Sequence, residues 1–129
     1  MNKADRQRII NENLQLVRFS NRSGSHTGCV RYFPNNTDAH EDTKWEICKF
    51  LARAGREFIT EAIFDSGEIY DRWGGRADIF ILDKGIVIEV LESETEEQFK
   101  EKVKKYPESL EVFGVDKDNW KKELGFLGG

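Results

Sequence analysis

Residues 77–94 read ADIFILDKGIVIEVLESE. Two apolar runs, ADIFILD and GIVIEVL, flank Asp83, Lys84 and Gly85. Ile- and Val-rich runs of this length around a Gly-containing turn predict a strand hairpin. Each arm carries one acid inside its apolar run, Asp78 on the first and Glu89 on the second. Strand alternation puts Asp78 on the side of Phe80 and Leu82, and Glu89 on the side of Val87 and Leu91. Both sides are apolar, so neither acid has an evident solvent face. A buried carboxylate without a partner is unfavourable.

The flanking sequence supplies a third acid. EFITEAIF (57–64) alternates, with Phe58, Thr60, Ala62 and Phe64 expected on one face and Ile59, Glu61 and Ile63 on the other. Upstream, HEDTKWEICKFLARAG (40–55) has Trp45, Cys48, Leu51 and Ala52 at helical spacing, and Gly55 as its stop. Downstream, SETEEQFKEKVKKYP (93–107) predicts a helix with a Ser93–Glu96 capping box and a stripe of Phe99, Val103 and Tyr106, ended by Pro107. LEVFGV (110–115) predicts a strand and DKDNWKKELGF (116–126) a short capped helix. CVRYF (29–33) reads as a short strand, and ADRQRIINENLQLV (4–17) carries apolar residues for at most a short helix. The expected fold is α/β: a small mixed β-sheet flanked by helices.

The length of 129 residues suits one domain. Net charge is -4, which argues against indiscriminate polyanion binding. The charge is uneven. Residues 1–31 hold six Lys/Arg against Asp5 and Glu12, so +4, and the remainder carries -8. The chain therefore divides into a basic N-terminal segment, 1–38, and a core, 39–129. The basic segment reads either as a phosphate-contacting arm or as a solvated leader. Cys29 and Cys48 lie far apart, outside any CxxC pattern, which predicts reduced thiols rather than a zinc site. No apolar run approaches the roughly 20 residues of a membrane span. The start, MNKADRQRII, lacks the apolar region of a signal peptide. The expected setting is cytoplasmic, without a membrane partner.

Three acids on three consecutive strands become less costly if they converge on a divalent cation. Mg²⁺ takes hard oxygen ligands, often only one or two from protein. An acid on one hairpin arm followed by an acid in IEVL on the next resembles the signature of the PD-(D/E)XK, or restriction-endonuclease-like, nucleases. That family arranges a helix, a three-stranded sheet bearing the site, a second helix and a further strand, which is similar to the order read from Ala39 to Val115. Ala77 stands at the proline position, Asp78 at the Asp position and Glu89 at the second acid, while Leu91 falls where the lysine belongs. HEDTK, ITEAIF and RADIFILDKGIVIEVLESET together resemble a narrower CoiA-like set with H-x-x-x-K on the first helix and no strand lysine.

The resemblance implies a metal-dependent nuclease that hydrolyses DNA phosphodiester bonds. Mg²⁺ or Mn²⁺ would be held by Asp78, Glu89 and Glu61. Lys44 would supply the missing positive charge, and His40 would assist with phosphate or proton transfer. Arg22, His26, Arg31 and Arg76 are candidate DNA contacts, and Trp73–Arg76 a loop able to stack on a base. A homodimer is left open, since two sites serve two strands. The alternative is a catalytically inactive nuclease-like module that binds nucleic acid or serves assembly, as Leu91 would favour. Each residue also has an ordinary reading: His40 and Lys44 exposed on a helix, and the acids solvated or salt-bridged at strand ends.

Overall fold

The computed structural model of the chain describes residues 2–18, 27–64 and 75–128. Helices α1 (Lys3–Leu14) and α2 (Asp38–Arg53) precede strands β1 (Phe58–Ile63), β2 (Arg76–Ile81) and β3 (Ile86–Val90). Helix α3 (Glu96–Val103), strand β4 (Glu111–Val115) and helix α4 (Trp120–Leu124) follow, with a 3-10 turn at Gly125–Leu127. The four strands form one sheet in the order β1-β2-β3-β4. β1, β2 and β3 pair antiparallel, and β4 returns through α3 to lie parallel to β3. No helix among the described residues is long and apolar enough to cross a membrane.

Local chemistry sets the boundaries. Thr37 caps α2 through a side chain that accepts from the His40 N–H, and Gly55 follows its end at φ 77, a conformation that favours glycine. The β2–β3 turn closes at Gly85, φ 66, whose N–H donates to the Ile81 carbonyl. The α3 capping box is formed by Thr95 and Gln98 rather than by Ser93 and Glu96. The Glu94 side chain instead accepts from the Glu92 N–H within the preceding turn. Helix α1 runs for 12 residues, longer than its sparse apolar residues suggest. It is anchored by Ile10 and Leu14, which pack on the sheet, by the Asn13 amide, which donates to the Leu82 carbonyl, and by Arg6, which donates to the Gly55 carbonyl. Residues 29–33 do not form a strand. Gly28 N–H donates to the Phe58 carbonyl, but Arg31 N–H donates to the Thr60 hydroxyl, so a side chain replaces the ladder that CVRYF would need.

Two apolar layers sandwich the sheet. On one side α2 and α4 pack Ile47, Cys48, Leu51, Trp120 and Leu124 against Phe58, Ile79, Ile81 and Ile88. On the other, Ile10 of α1 joins Tyr106 and Leu110 against Ile59, Phe80, Leu82 and Val87. Strict alternation fails at one level. Ile59 and Ala62 share the second layer, as do Ala77 and Phe80, although each pair is separated by three residues. Regular strands would send them to opposite faces. The expected grouping of Phe58 with Ala62 and Phe64 is therefore wrong, because the chain turns over in between. Glu61 lies there with φ 53, the one non-glycine residue in the left-handed region among those described.

Candidate functional site

The three strand acids occupy the level where the sheet is irregular. Thr60 pairs with Ile79 and Ala62 with Ala77, so Glu61 faces Asp78 across the β1–β2 gap. Ile79 pairs with Ile88, and continuing that register sets Asp78 beside Glu89. The row ends on β4, where Glu89 pairs with Gly114. Asp78 substitutes its side chain for the missing ladder bond: Oδ2 accepts from the Val90 N–H at 2.7 Å. All three acids are buried. A left-handed non-glycine residue inside a strand is a local strain of the kind that gathers at functional positions.

Helix α2 lays its first two turns over this row. His40 Nε2 is 3.2 Å from Asp78 Oδ2, and its Nδ1 is 3.6 Å from Glu41 Oε2. Lys44, 1% exposed, directs its ammonium to Glu61 Oε1 at 3.0 Å, Glu41 Oε1 at 3.0 Å and the Arg31 carbonyl at 2.7 Å. Those three bonds use all three ammonium protons. Glu41 in addition accepts from the Phe33 N–H, which ties the 29–33 segment to the helix. Two buried atoms here have no hydrogen-bond partner, His40 Nδ1 and Glu41 Oε2. Glu41 Oε2 is only 2.7 Å from the Lys44 Nζ, a close ionic contact without hydrogen-bond alignment. The helix face also corrects one expectation. Of the expected stripe, Trp45 is half exposed, with the Lys49 ammonium over its ring, and Ala52 is exposed, while Cys48 and Leu51 do enter the core.

Glu89 is held from the opposite layer. The Tyr106 hydroxyl donates to Glu89 Oε1 and also lies 3.0 Å from the Arg76 carbonyl. Leu91, two residues on, points toward Gly114 and Phe99: a Cβ added at Gly114 would lie 2.7 Å from Leu91 Cδ1 and 2.8 Å from Phe99 Cε1. The position where the resembled nucleases carry lysine is thus packed under α3.

These contacts shape the electrostatics. Burial pushes the Glu89 carboxyl up, and the Asp78 carboxylate beside it pushes further, to about 9. Burial also raises Glu61, opposed by Lys44 and reinforced by Asp78. Burial alone would lower the His40 pKa, but its bond to Asp78 and the nearby Glu41 raise it above 6.5. Burial likewise works against the Lys44 cation, and Glu41 and Glu61 overcome it, raising the pKa above 10.5.

His40, Glu61, Asp78, Glu89 and Tyr106 line a cleft of about 370 Å³, which Arg76, Lys105, Glu92 and the ion pair of Lys102 with Glu94 also line. Lys44 does not line it and acts on it through Glu61. Arg31 lies on the far side of Lys44, beside a separate depression of about 280 Å³ that Tyr32 and Trp45 also line. Arg76 sits over the Phe33 ring at 4.9 Å. Arg22, His26, Trp73 and Gly74 fall outside the described residues. Neither His40 nor Lys44 is exposed; the strand acids are buried, with Glu61 salt-bridged to Lys44 and Asp78 in contact with His40, as the ordinary reading of paired acids allowed.

Two residues of the site escaped the sequence reading. Glu41 lies within HEDTK, next to His40 and three residues before Lys44, the two residues singled out there. Tyr106 fits the apolar stripe of α3, and its hydroxyl gave no further signal. Among the described residues no three His, Cys, Asp or Glu side chains gather as a metal cluster. Asp78 and Glu89 form a close pair, while Glu61 is turned to Lys44. No known protein family, characterised protein or solved structure matches the chain.

Proposed function

We propose that the chain is a metal-dependent nuclease that hydrolyses DNA phosphodiester bonds, with Asp78 and Glu89 as the cation-binding pair. One observation carries the reading: two interacting buried carboxyl groups on adjacent strands share a cleft that Arg76 and Lys105 also line. Like charges that close are costly unless a proton or a cation lies between them. The donor set fits Mg²⁺ or Mn²⁺, which accept two protein oxygens and take the rest from water and phosphate. When bound, such a cation stabilises charge on the phosphate and activates water.

The chain's own groups would divide the remaining work. Arg76 and Lys105 would orient the DNA backbone through its phosphates. His40, bonded through Nε2 to Asp78 Oδ2, would hold that carboxylate in place, with its Nδ1 set toward Glu41. Glu61, fixed at Oε1 by Lys44, would orient the attacking water. Lys44 would balance the charge of Glu41 and Glu61 rather than touch phosphate, since its three protons are committed. Cleavage of both strands would call for a homodimer.

A second reading, a binding module without catalysis, is favoured by the packing of Leu91 under Phe99 and by the saturated Lys44 ammonium. Incubation with supercoiled plasmid in Mg²⁺ or Mn²⁺ decides between them. The nuclease nicks the plasmid, and Asp78→Asn abolishes nicking. Metal-independent DNA binding with no cleavage of duplex or single strand would leave the module.

A further inference from the structure

On the two-carboxylate metal reading above, we infer that Tyr106, seated by Gly75, is a positioning residue that fixes Glu89 for the cation. Tyr106 lies just beyond α3 and is 4% exposed. Its ring packs edge-on against Phe64, with centroids 5.3 Å apart and planes at 82°. Phenylalanine would fill the same space. The hydroxyl is what enters the site, between the Arg76 carbonyl and Glu89 Oε1.

That hydroxyl has one proton and two acceptors. An ionised Glu89, the form that binds a cation, is the stronger acceptor and takes the proton. One oxygen of Glu89 is then anchored to the layer of α1 and Leu110. The Arg76 carbonyl, at the first residue of β2, is the alternative acceptor 3.0 Å away, so the hydroxyl proton turns from β2 to Glu89 when Glu89 is ionised.

The seat is built for this approach. A Cβ at Gly75 would lie 2.7 Å from Tyr106 Cε1 and 3.0 Å from the Lys105 carbonyl oxygen. The Gly75 N–H also donates to that carbonyl at 3.3 Å. Glycine is needed there for clearance under the ring. Partners that orient a metal ligand typically contribute 10- to 100-fold in affinity.

The test uses the full chain and Mn²⁺ alone, titrated by calorimetry. Tyr106→Phe should bind Mn²⁺ about 10- to 100-fold more weakly than wild type, with an unchanged far-ultraviolet circular dichroism spectrum. Gly75→Ala, which keeps the hydroxyl but displaces the ring, should weaken binding in the same direction. Adding Mn²⁺ to the wild-type protein should perturb tyrosine absorbance, and the Phe variant should lack that change. Wild-type affinity in Tyr106→Phe, or no tyrosine perturbation in a wild-type protein that binds Mn²⁺, overturns this role while leaving the metal reading intact. A wild-type protein that binds no Mn²⁺ overturns the metal reading and this inference together.

Discussion

Replacing Glu89 by Gln should stabilise the metal-free protein at neutral pH and abolish its response to Mg²⁺. The folded protein retains the Glu89 proton up to about pH 9, whereas an unperturbed carboxyl releases it near 4.5. Between those values the folded state binds more protons than the unfolded chain, so stability falls as pH rises. The slope from one such group is about 1.4 kcal/mol per pH unit. Over the roughly 2.5 pH units to neutrality the loss reaches about 3 kcal/mol. The amide of the variant would carry no proton to lose and could still bond to Tyr106. His40 and Glu61 contribute slopes of the same sign, since their pKa values are also raised, but both remain in the variant. The difference between the two proteins therefore isolates Glu89. Urea unfolding in a chelator, from about pH 5 to about pH 8.5, should give curves that separate as pH rises, with the Gln variant the more stable. Saturating Mg²⁺ at about 100 times its Kd should add about 2.7 kcal/mol to the wild type and nothing to the variant. Parallel pH curves, or a variant less stable than wild type throughout, would refute the reasoning.

Other expectations follow from particular contacts. Lys44→Ala removes the cation shared by Glu41 and Glu61 and should destabilise the fold by about 3–5 kcal/mol, as for other broken buried pairs. Urea titration reads this directly, and a loss below about 1 kcal/mol would contradict the buried network. Neutralising Arg76 and Lys105 together should lower the salt slope of DNA binding by about 0.9 per lost phosphate contact, measured by anisotropy at several salt concentrations. A thiol reagent should modify exposed Cys29 in the native protein. Cys48, whose thiol burial pushes up to about 12, should react only on unfolding, as two-phase kinetics would reveal.

Much of the fold was legible because most of its elements obey simple periodicity. The Ile- and Val-rich arms around DKG gave β2 and β3, and LEVFGV gave β4 from apolar runs alone. Helix α2 showed its stripe and its terminal glycine. Irregularity was harder to read. Nothing in FITEAI marks Glu61 as left-handed. The 29–33 segment has strand-like composition, but Thr60 competes for its backbone. The acids were visible because charge inside an apolar run is conspicuous. Glu41 and Tyr106 were obscured because an acid in the first turn of a helix and an aromatic in a helical stripe are ordinary there.

The level that contains Glu61 and Asp78 bears on any attempt to transplant this site. An ideal hairpin with acids at matching positions would project them to one side only. Here the strands turn over at that level, so one row of acids is reached by α2 from one layer and by Tyr106 from the other. A graft that copies the acids onto a regular sheet would recover either the His40–Lys44 side or the Tyr106 side. The unit to move is the fault in the sheet together with both of its covers.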